Sequence, residues 1–141
     1  MRAGEICALT WDNVLFDRRI AHLPMTKNGT ARDVPLSRPA MQILHRMKGV
    51  TFSHYERQRL VDENSVFLLS SSRLDAMWRK LRDRALLDGM HFHDARATAL
   101  TRLANKLNPL ELAKLSGHKD LKMLLNVYYR EDPSVIAAKL D

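Results

Sequence analysis

The stretch NVLFDRRIAHLPMTKNGTARDVPL, residues 13–36, decides the architecture. Residues 13–16 and 19–23 read as two short strands around Asp17-Arg18. Asn28-Gly29 then places together two residues that tolerate positive φ, which is a hairpin signal, and 31–36 is the returning strand. Working outward, residues 2–9 are helical in character, with Ile6 and Leu9 on one side. From Pro39 onward the chain turns helical: Met41, Leu44 and Met47 share one face of a first helix. A polar loop leads to the apolar run 66–69. Ser72 with Asp75 reads as a capping box for a helix carrying Leu74, Met77, Trp78, Leu81 and Ala85 at three-to-four spacing. Residues 93–107 form the next helix. Asn108-Pro109 with Glu111 combines a cap, a proline at the first helical position and an acid in the first turn. Asp120 caps 121–128, and Asp132-Pro133 opens 134–140. The expected fold is therefore α+β and mainly helical: a small antiparallel β-sheet near the N-terminus followed by a bundle of about six helices. Trp11, Phe16, Phe67, Trp78 and Phe92 are expected in the core.

Composition narrows the function. The 141 residues suffice for one domain with a real core, and 45% hydrophobic with 28% charged residues is ordinary for a globular protein. No stretch approaches the roughly 20 apolar residues of a membrane helix, and the N-terminus lacks a secretory signal. A lone Cys7 excludes an intramolecular disulfide and a Cys-rich zinc module. A cytoplasmic protein without a membrane partner is expected. Lys and Arg number 23 against 16 acids, a formal charge of +7, which suits a polyanion such as DNA.

Four segments carry chemistry when taken together. They are Met1-Arg2-Ala3-Gly4-Glu5-Ile6, Thr26-Lys27-Asn28-Gly29, His93-Asp94-Ala95-Arg96, and Gly117-His118 with Tyr128-Tyr129-Arg130 shortly after. Singly, each residue reads as an ordinary surface or core side chain. Their order and spacing together are much harder to obtain by accident. His91 and His93 sit one residue apart, but no Cys or acidic ligand set accompanies them at zinc spacing, so no metal is expected. His22, His45 and His54 fall in no motif and read as surface or structural residues.

Along nearly its whole length the chain resembles the tyrosine recombinase (phage integrase) family. Met1-Arg2-Ala3-Gly4-Glu5 is similar to the family's first arginine motif, and Leu9-Thr10-Trp11-Asp12 fits the family pattern just after that motif. Thr26-Lys27-Asn28-Gly29 matches the lysine hairpin and Val34-Pro35-Leu36-Ser37 the segment after it. His93-Asp94-Ala95-Arg96 matches the HxxR helix, Leu115-Ser116-Gly117-His118 the L-x-G-H motif, and Tyr128 or Tyr129 the nucleophile. The resemblance implies cleavage and rejoining of double-stranded DNA through a 3′-phosphotyrosyl intermediate, without cofactor or metal. The covalent link stores the bond energy, so rejoining needs no ATP. Arg2 and Arg96 would hold the non-bridging oxygens, because guanidinium stays ionised and donates two parallel bonds to phosphate. His93 would assist proton transfer from the tyrosine, His118 would donate to a phosphate oxygen, and Lys27 would protonate the leaving 5′-oxygen. Glu5 would orient its neighbours. The family also implies a homo-oligomer, a tetrameric synapse on DNA, with the apolar stripe Val135, Ile136 and Leu140 as an assembly element or as packing in cis. A bacterial or phage origin with nucleoid association is implied by the same likeness.

The chain departs from the family pattern in three ways. It begins at the first arginine, so 1–141 reads as a catalytic domain truncated at its N-terminus and lacking the core-binding domain. Ala97 comes after the HxxR arginine where a His or Lys is common, and His118 to Tyr128 is one residue longer than the usual spacing. Both tyrosines therefore stay open. Tyr128 is favoured because Leu121, Leu124, Leu125 and Tyr128 form an inward i, i+3, i+4, i+7 set, while Tyr129 falls beside Lys122 and Asn126, the exposed side. Two other readings stand beside an active enzyme: a non-catalytic DNA-binding remnant of an integrase, and DNA relaxation of the type IB topoisomerase kind.

Overall fold

The computed structural model describes residues 1–25, 29–50, 64–129 and 132–140. The chain divides into two compact units, Met1–Arg96 and Ala97–Asp141.

In the first unit a short helix α1 (Ala3–Cys7) leads through a 3-10 turn (Trp11–Asn13) to strands β1 (Val14–Leu15), β2 (Ile20–Leu23) and β3 (Arg32–Pro35). The sheet is antiparallel in the order β1-β2-β3, with Val14 opposite Ala21, Ala21 opposite Val34 and Leu23 opposite Arg32. Each strand is one or two residues shorter at its ends than its sequence suggests. Period-two alternation buries Ala21, Leu23 and Val34 on one face, where they join Leu9, Val14, Leu44 and Val66. Leu44 comes from helix α2 (Arg38–Lys48), capped by Ser37, whose Oγ accepts from the Ala40 N–H at 3.3 Å. Val66 is fixed by its N–H donating to the Leu9 carbonyl at 2.8 Å.

Helix α3 (Ser71–Arg84) corrects the expected start. Ser70, not Ser72, is the cap, and its Oγ accepts from the Arg73 N–H at 3.3 Å. Ser72 lies inside the first turn, 3.0 Å from the Ser70 hydroxyl, and Asp75 pairs with Arg79 one turn on. The serine run 70–72 offers three equivalent cap candidates, and the helix takes the first, which lengthens it by two residues. The five aromatic residues flank the core and do not fill it: all are half-buried. Trp11, Phe16 and Phe67 pack against the sheet cluster, and Trp78 meets Phe92 edge-on at 5.4 Å while its indole N–H donates to the Met90 carbonyl.

The division between the units falls within helix α4 (Phe92–Ala104), which ends three residues short of the expected 107. The second unit continues with α5 (Pro109–Ser116), α6 (Leu121–Tyr128) and α7 (Pro133–Ala137) around Leu100, Leu112 and Leu124. Asn108 caps α5 in a reciprocal box: Asn108 Oδ1 accepts from Glu111 N at 3.0 Å and Glu111 Oε2 accepts from Asn108 N at 2.9 Å. Asp120 and Asp132 cap α6 and α7 as their sequence positions predict. Six helices thus come after the sheet among the described residues. No described helix is long and apolar enough to cross a membrane.

Candidate active site

In the first unit the site is organised around one carboxylate. Arg2 is the N-cap of α1, extended at φ −81° and ψ 159°, so Glu5 lies one turn in and reaches back to it. Glu5 is 8% exposed, a position where a carboxylate needs strong partners. It has four. Oε2 accepts from the Arg2 backbone N–H at 2.6 Å and from Arg32 Nη2 at 2.8 Å. Oε1 accepts from Arg2 Nη1 at 3.1 Å and from Arg32 Nη1 at 2.9 Å. Burial alone would raise the Glu5 carboxyl, but the Arg32 guanidinium, the Arg2 backbone N–H and the Arg2 side chain outweigh it and bring it down to about 2.

Arg96 belongs to the same charged neighbourhood. The Met1 α-amino group is pushed down to about 6, first by burial and then by Arg96, against Glu5 and together with Arg32 and Arg2. Three guanidinium groups and the Glu5 carboxylate therefore lie within electrostatic reach of one amine. Arg96 is half-buried one turn after His93, which is exposed in the first turn of α4. The Asp94 carboxylate accepts from the His91 backbone N–H at 2.7 Å and closes that helix end. Lys27 lies outside the described residues, as do Arg130 and His54. The ladder pair Leu23 with Arg32 bounds the connection that contains Lys27, and Gly29 in that connection has φ +73°, where glycine is the favoured residue.

The second unit carries the other expected residues. Helix α5 ends at Gly117 in the left-handed conformation, φ 73° and ψ 32°, so the chain turns sharply and His118 leaves the helix at once. Ser116 is fully buried, and its Oγ lies 2.6 Å from His118 Nδ1, which fixes the imidazole plane. Helix α6 is anchored by the fully buried Leu124 and ends at Tyr128. Tyr128 and Tyr129 both pack against the Leu100, Leu112 and Leu124 cluster.

Tyr129 corrects the expectation of an exposed side chain. It is half-buried, and its hydroxyl donates to the Leu107 carbonyl at 2.6 Å. The reason is the helix end. Tyr129 is the C-cap, at φ −125° and ψ 59°, so the 100° step that would turn it outward no longer applies. Burial, with the Glu111 carboxylate second, raises the Tyr129 phenol above its ordinary value.

Arg2, Glu5 and Arg96 thus fall in one charged cluster, with His93 on the Arg96 helix. His118, Tyr128 and Tyr129 belong to the second unit. Two participants escape the sequence reading. Arg32 is one, although period two places it on the face of buried Val34, where an arginine needs an acid. Ser116 is the other, and nothing in its one-residue spacing from Gly117 distinguishes it from a solvated serine. Among the described residues no group of three or more His, Cys, Asp and Glu side chains is arranged to hold a metal ion.

Residues 1–134 match the family model described as phage integrase family. A Haemophilus influenzae protein carrying the name integrase/recombinase is 49% identical over all 141 residues, which make up 43% of that relative. The shufflon-specific DNA recombinase of Escherichia coli is 38% identical over 126 residues, 88% of this chain and 30% of that protein. The chain thus spans less than half the length of these curated relatives. Among solved structures, the Tn1549 transposon integrase in complex with transposon right-end DNA superposes at a TM-score of 0.77 with 22% identity, covering 99% of this chain and 54% of that one. The XerA recombinase superposes at 0.71 with 18% identity, over 97% of this chain and 51% of its own. At these identities the structural likeness speaks to the fold.

Proposed function

This chain belongs to the phage integrase family, and from that premise we propose that it cleaves and rejoins double-stranded DNA in site-specific recombination or integration through a 3′-phosphotyrosyl intermediate. The observation that carries the reading is the Glu5-centred cluster. A phosphodiester under attack accumulates charge on its non-bridging oxygens, and pre-oriented cations in a partly dehydrated site stabilise that charge without reorganising. Arg2, held at both its backbone N–H and its guanidinium, and Arg96, within electrostatic reach of the same α-amino group, suit that requirement. Arg2 and Arg96 hold the phosphate. The Tyr128 hydroxyl attacks phosphorus, its proton passing toward His93, while His118 donates to a non-bridging oxygen. Lys27 returns a proton to the departing 5′-oxygen. One P–O bond forms to the tyrosine as one breaks, so the linkage is conserved and the reverse step reseals the strand.

Tyr128 is the better nucleophile of the two. Attack needs the phenol proton to leave, and at Tyr129 that proton is committed to the Leu107 carbonyl while the phenol is held above its usual range. Positive charge comes from side chains, so no divalent metal or other cofactor takes part. Assembly into a homo-oligomeric, tetrameric synapse on DNA belongs to the same proposal. So does a cytoplasmic, nucleoid-associated protein of bacterial or phage origin whose residues 1–141 form the catalytic domain.

The test is a nicked suicide duplex, from which the downstream fragment diffuses after cleavage and traps the covalent adduct. The chain is expected to form an SDS-resistant adduct with equal yield in EDTA and in Mg²⁺. Duplex binding should weaken with salt along a log-log slope of roughly −0.9 per phosphate contacted. Binding without any adduct would instead make the chain a non-catalytic DNA-binding remnant. Adduct formation only with Mg²⁺ would overturn the mechanism. Relaxation of supercoiled DNA without strand exchange would favour topoisomerase-like chemistry.

A further inference from the structure

We propose that Arg32 is a positioning residue for strand cleavage: its guanidinium fork fixes the Glu5 carboxylate, and the carboxylate in turn fixes Arg2. This role rests on the functional reading above. The geometry is specific. Each Glu5 oxygen accepts one bond from Arg32 and one from Arg2: Oε1 from the two Nη1 atoms, Oε2 from Arg32 Nη2 and the Arg2 backbone N–H. A fork on both oxygens sets the carboxylate plane, and only then are the remaining lone pairs aimed at Arg2. Arg2 has less support of its own. Its side chain is 27% exposed and its guanidinium contact is the longest of the four, 3.1 Å.

Arg32 does not itself suit a phosphate. Its side chain is 10% exposed and both terminal nitrogens are committed to Glu5. Its Nε is buried without a hydrogen-bond partner among the described residues, so the fork alone orients the group. The backbone beneath it is rigid, since Arg32 pairs with Leu23 in the ladder and its neighbour on the same face, Val34, is core. The pair thus ties strand β3 to the start of α1. Arg32 further keeps Glu5 ionised, because it is the largest influence opposing burial there.

The experiment measures single-turnover adduct formation by the full chain on the nicked duplex, from pH 5 to 9, for the wild type, Arg32→Met and Arg32→Lys. Among the described residues the charged groups facing Glu5 are Arg2, Arg32 and the Met1 α-amino group, which Arg96 also influences. Because that amine also titrates, each profile is read relative to wild type. Arg32→Met should keep duplex affinity within about twofold and slow cleavage by about 10- to 100-fold, the loss expected when a reacting group is misplaced by about an ångström. Its acid limb should also move to higher pH than that of wild type, because Glu5, left buried without its largest cationic partner, takes up a proton more readily. Arg32→Lys restores the charge without the fork and should recover part of the rate. A uniform loss at every pH, matched by a fall in thermal stability, would reduce Arg32 to a structural role and overturn the inference. Should Arg32→Met fail to fold, ¹³C titration of Glu5 in Arg32→Lys decides. A carboxyl raised above its wild-type value supports the coupling, and one that stays there sinks it whatever the chain catalyses. Absence of any wild-type adduct would remove the functional reading itself, and the positioning role with it.

Discussion

Residues 1–96 hold a core of seven buried apolar side chains contributed by a sheet, the turns beside it and α2, whereas residues 97–141 close around three leucines. Among the described residues each unit exposes eight large apolar side chains, so they are denser on the smaller second unit. In the second unit Met123, Leu125, Val127, Val135 and Ile136 are all exposed on helices of eight residues or fewer. The first unit ties Arg2 at a helix cap, through Glu5, to Arg32 on a ladder-paired strand. The second carries both tyrosines at the end of a short helix with one fully buried anchor, Leu124. Sparse burial lowers the free energy of local opening. A phosphate clamp gains from rigidity, because pre-oriented charge needs no reorganisation during reaction. A nucleophile that must attack, stay bound to a DNA end and later release it tolerates a looser mount.

The contrast fails first if the tyrosines are misassigned, and there the expected effect is largest. Tyr128→Phe keeps the ring and removes only the oxygen proposed to attack, so adduct formation should fall by at least about 1,000-fold. Tyr129→Phe removes a donor to the Leu107 carbonyl and should cost about 1 kcal/mol of stability while leaving adduct formation within about tenfold. Adduct from Tyr128→Phe but not from Tyr129→Phe would reverse the assignment. The second unit would then hold its nucleophile by a 2.6 Å hydrogen bond, and the loose mount would be wrong.

A smaller effect separates the two cores directly. Leu44 and Leu112 are both buried, at 4% and 0% exposure, one in each core. Leu→Ala at either should cost about 2–5 kcal/mol. In native-state hydrogen exchange, Leu112→Ala should accelerate amides of α5 and α6 while those of β2 and β3 keep their protection. Leu44→Ala should lower protection in the sheet. Equal acceleration everywhere from both variants would mean that the chain opens as one cooperative body and that the contrast in packing has no energetic meaning.

The fold is legible in the sequence because its signals are local. Asn108, Asp120 and Asp132 announce their helices through backbone chemistry within three residues, and the strands around Asp17-Arg18 come from alternation. The cap of α3 is not legible, because Ser70, Ser71 and Ser72 are locally equivalent. At the site, the motif order points to Arg2, Glu5, His93, Arg96 and His118. The hidden part is non-local. Arg32 is 27 positions from Glu5, and only the strand register turns it toward the carboxylate. Tyr129 faces the other way from its helical projection because the helical step does not extend one residue past the helix end.

The smallest effect concerns the acid side of the first unit. Glu5 has its carboxyl at about 2 in the folded chain, against an ordinary 4.5. A folded value below the unfolded one means that the unfolded chain binds the proton first as pH falls. The ionised carboxylate therefore contributes stability that is fully present above about pH 4.5 and is lost as pH drops toward 2. A shift of this size corresponds to at most about 3 kcal/mol, and screening on the Arg2 side, where the guanidinium is partly exposed, lowers that to about 1–2 kcal/mol. Glu5→Gln keeps the shape and removes the titration, at the cost of leaving two guanidinium groups against a neutral amide. The variant should be less stable than wild type at neutral pH, and the gap should narrow between pH 4.5 and 2, read by urea unfolding at each pH. A gap independent of pH would mean that Glu5 is not held ionised by Arg2 and Arg32, and the rigid half of the contrast would lose its centre.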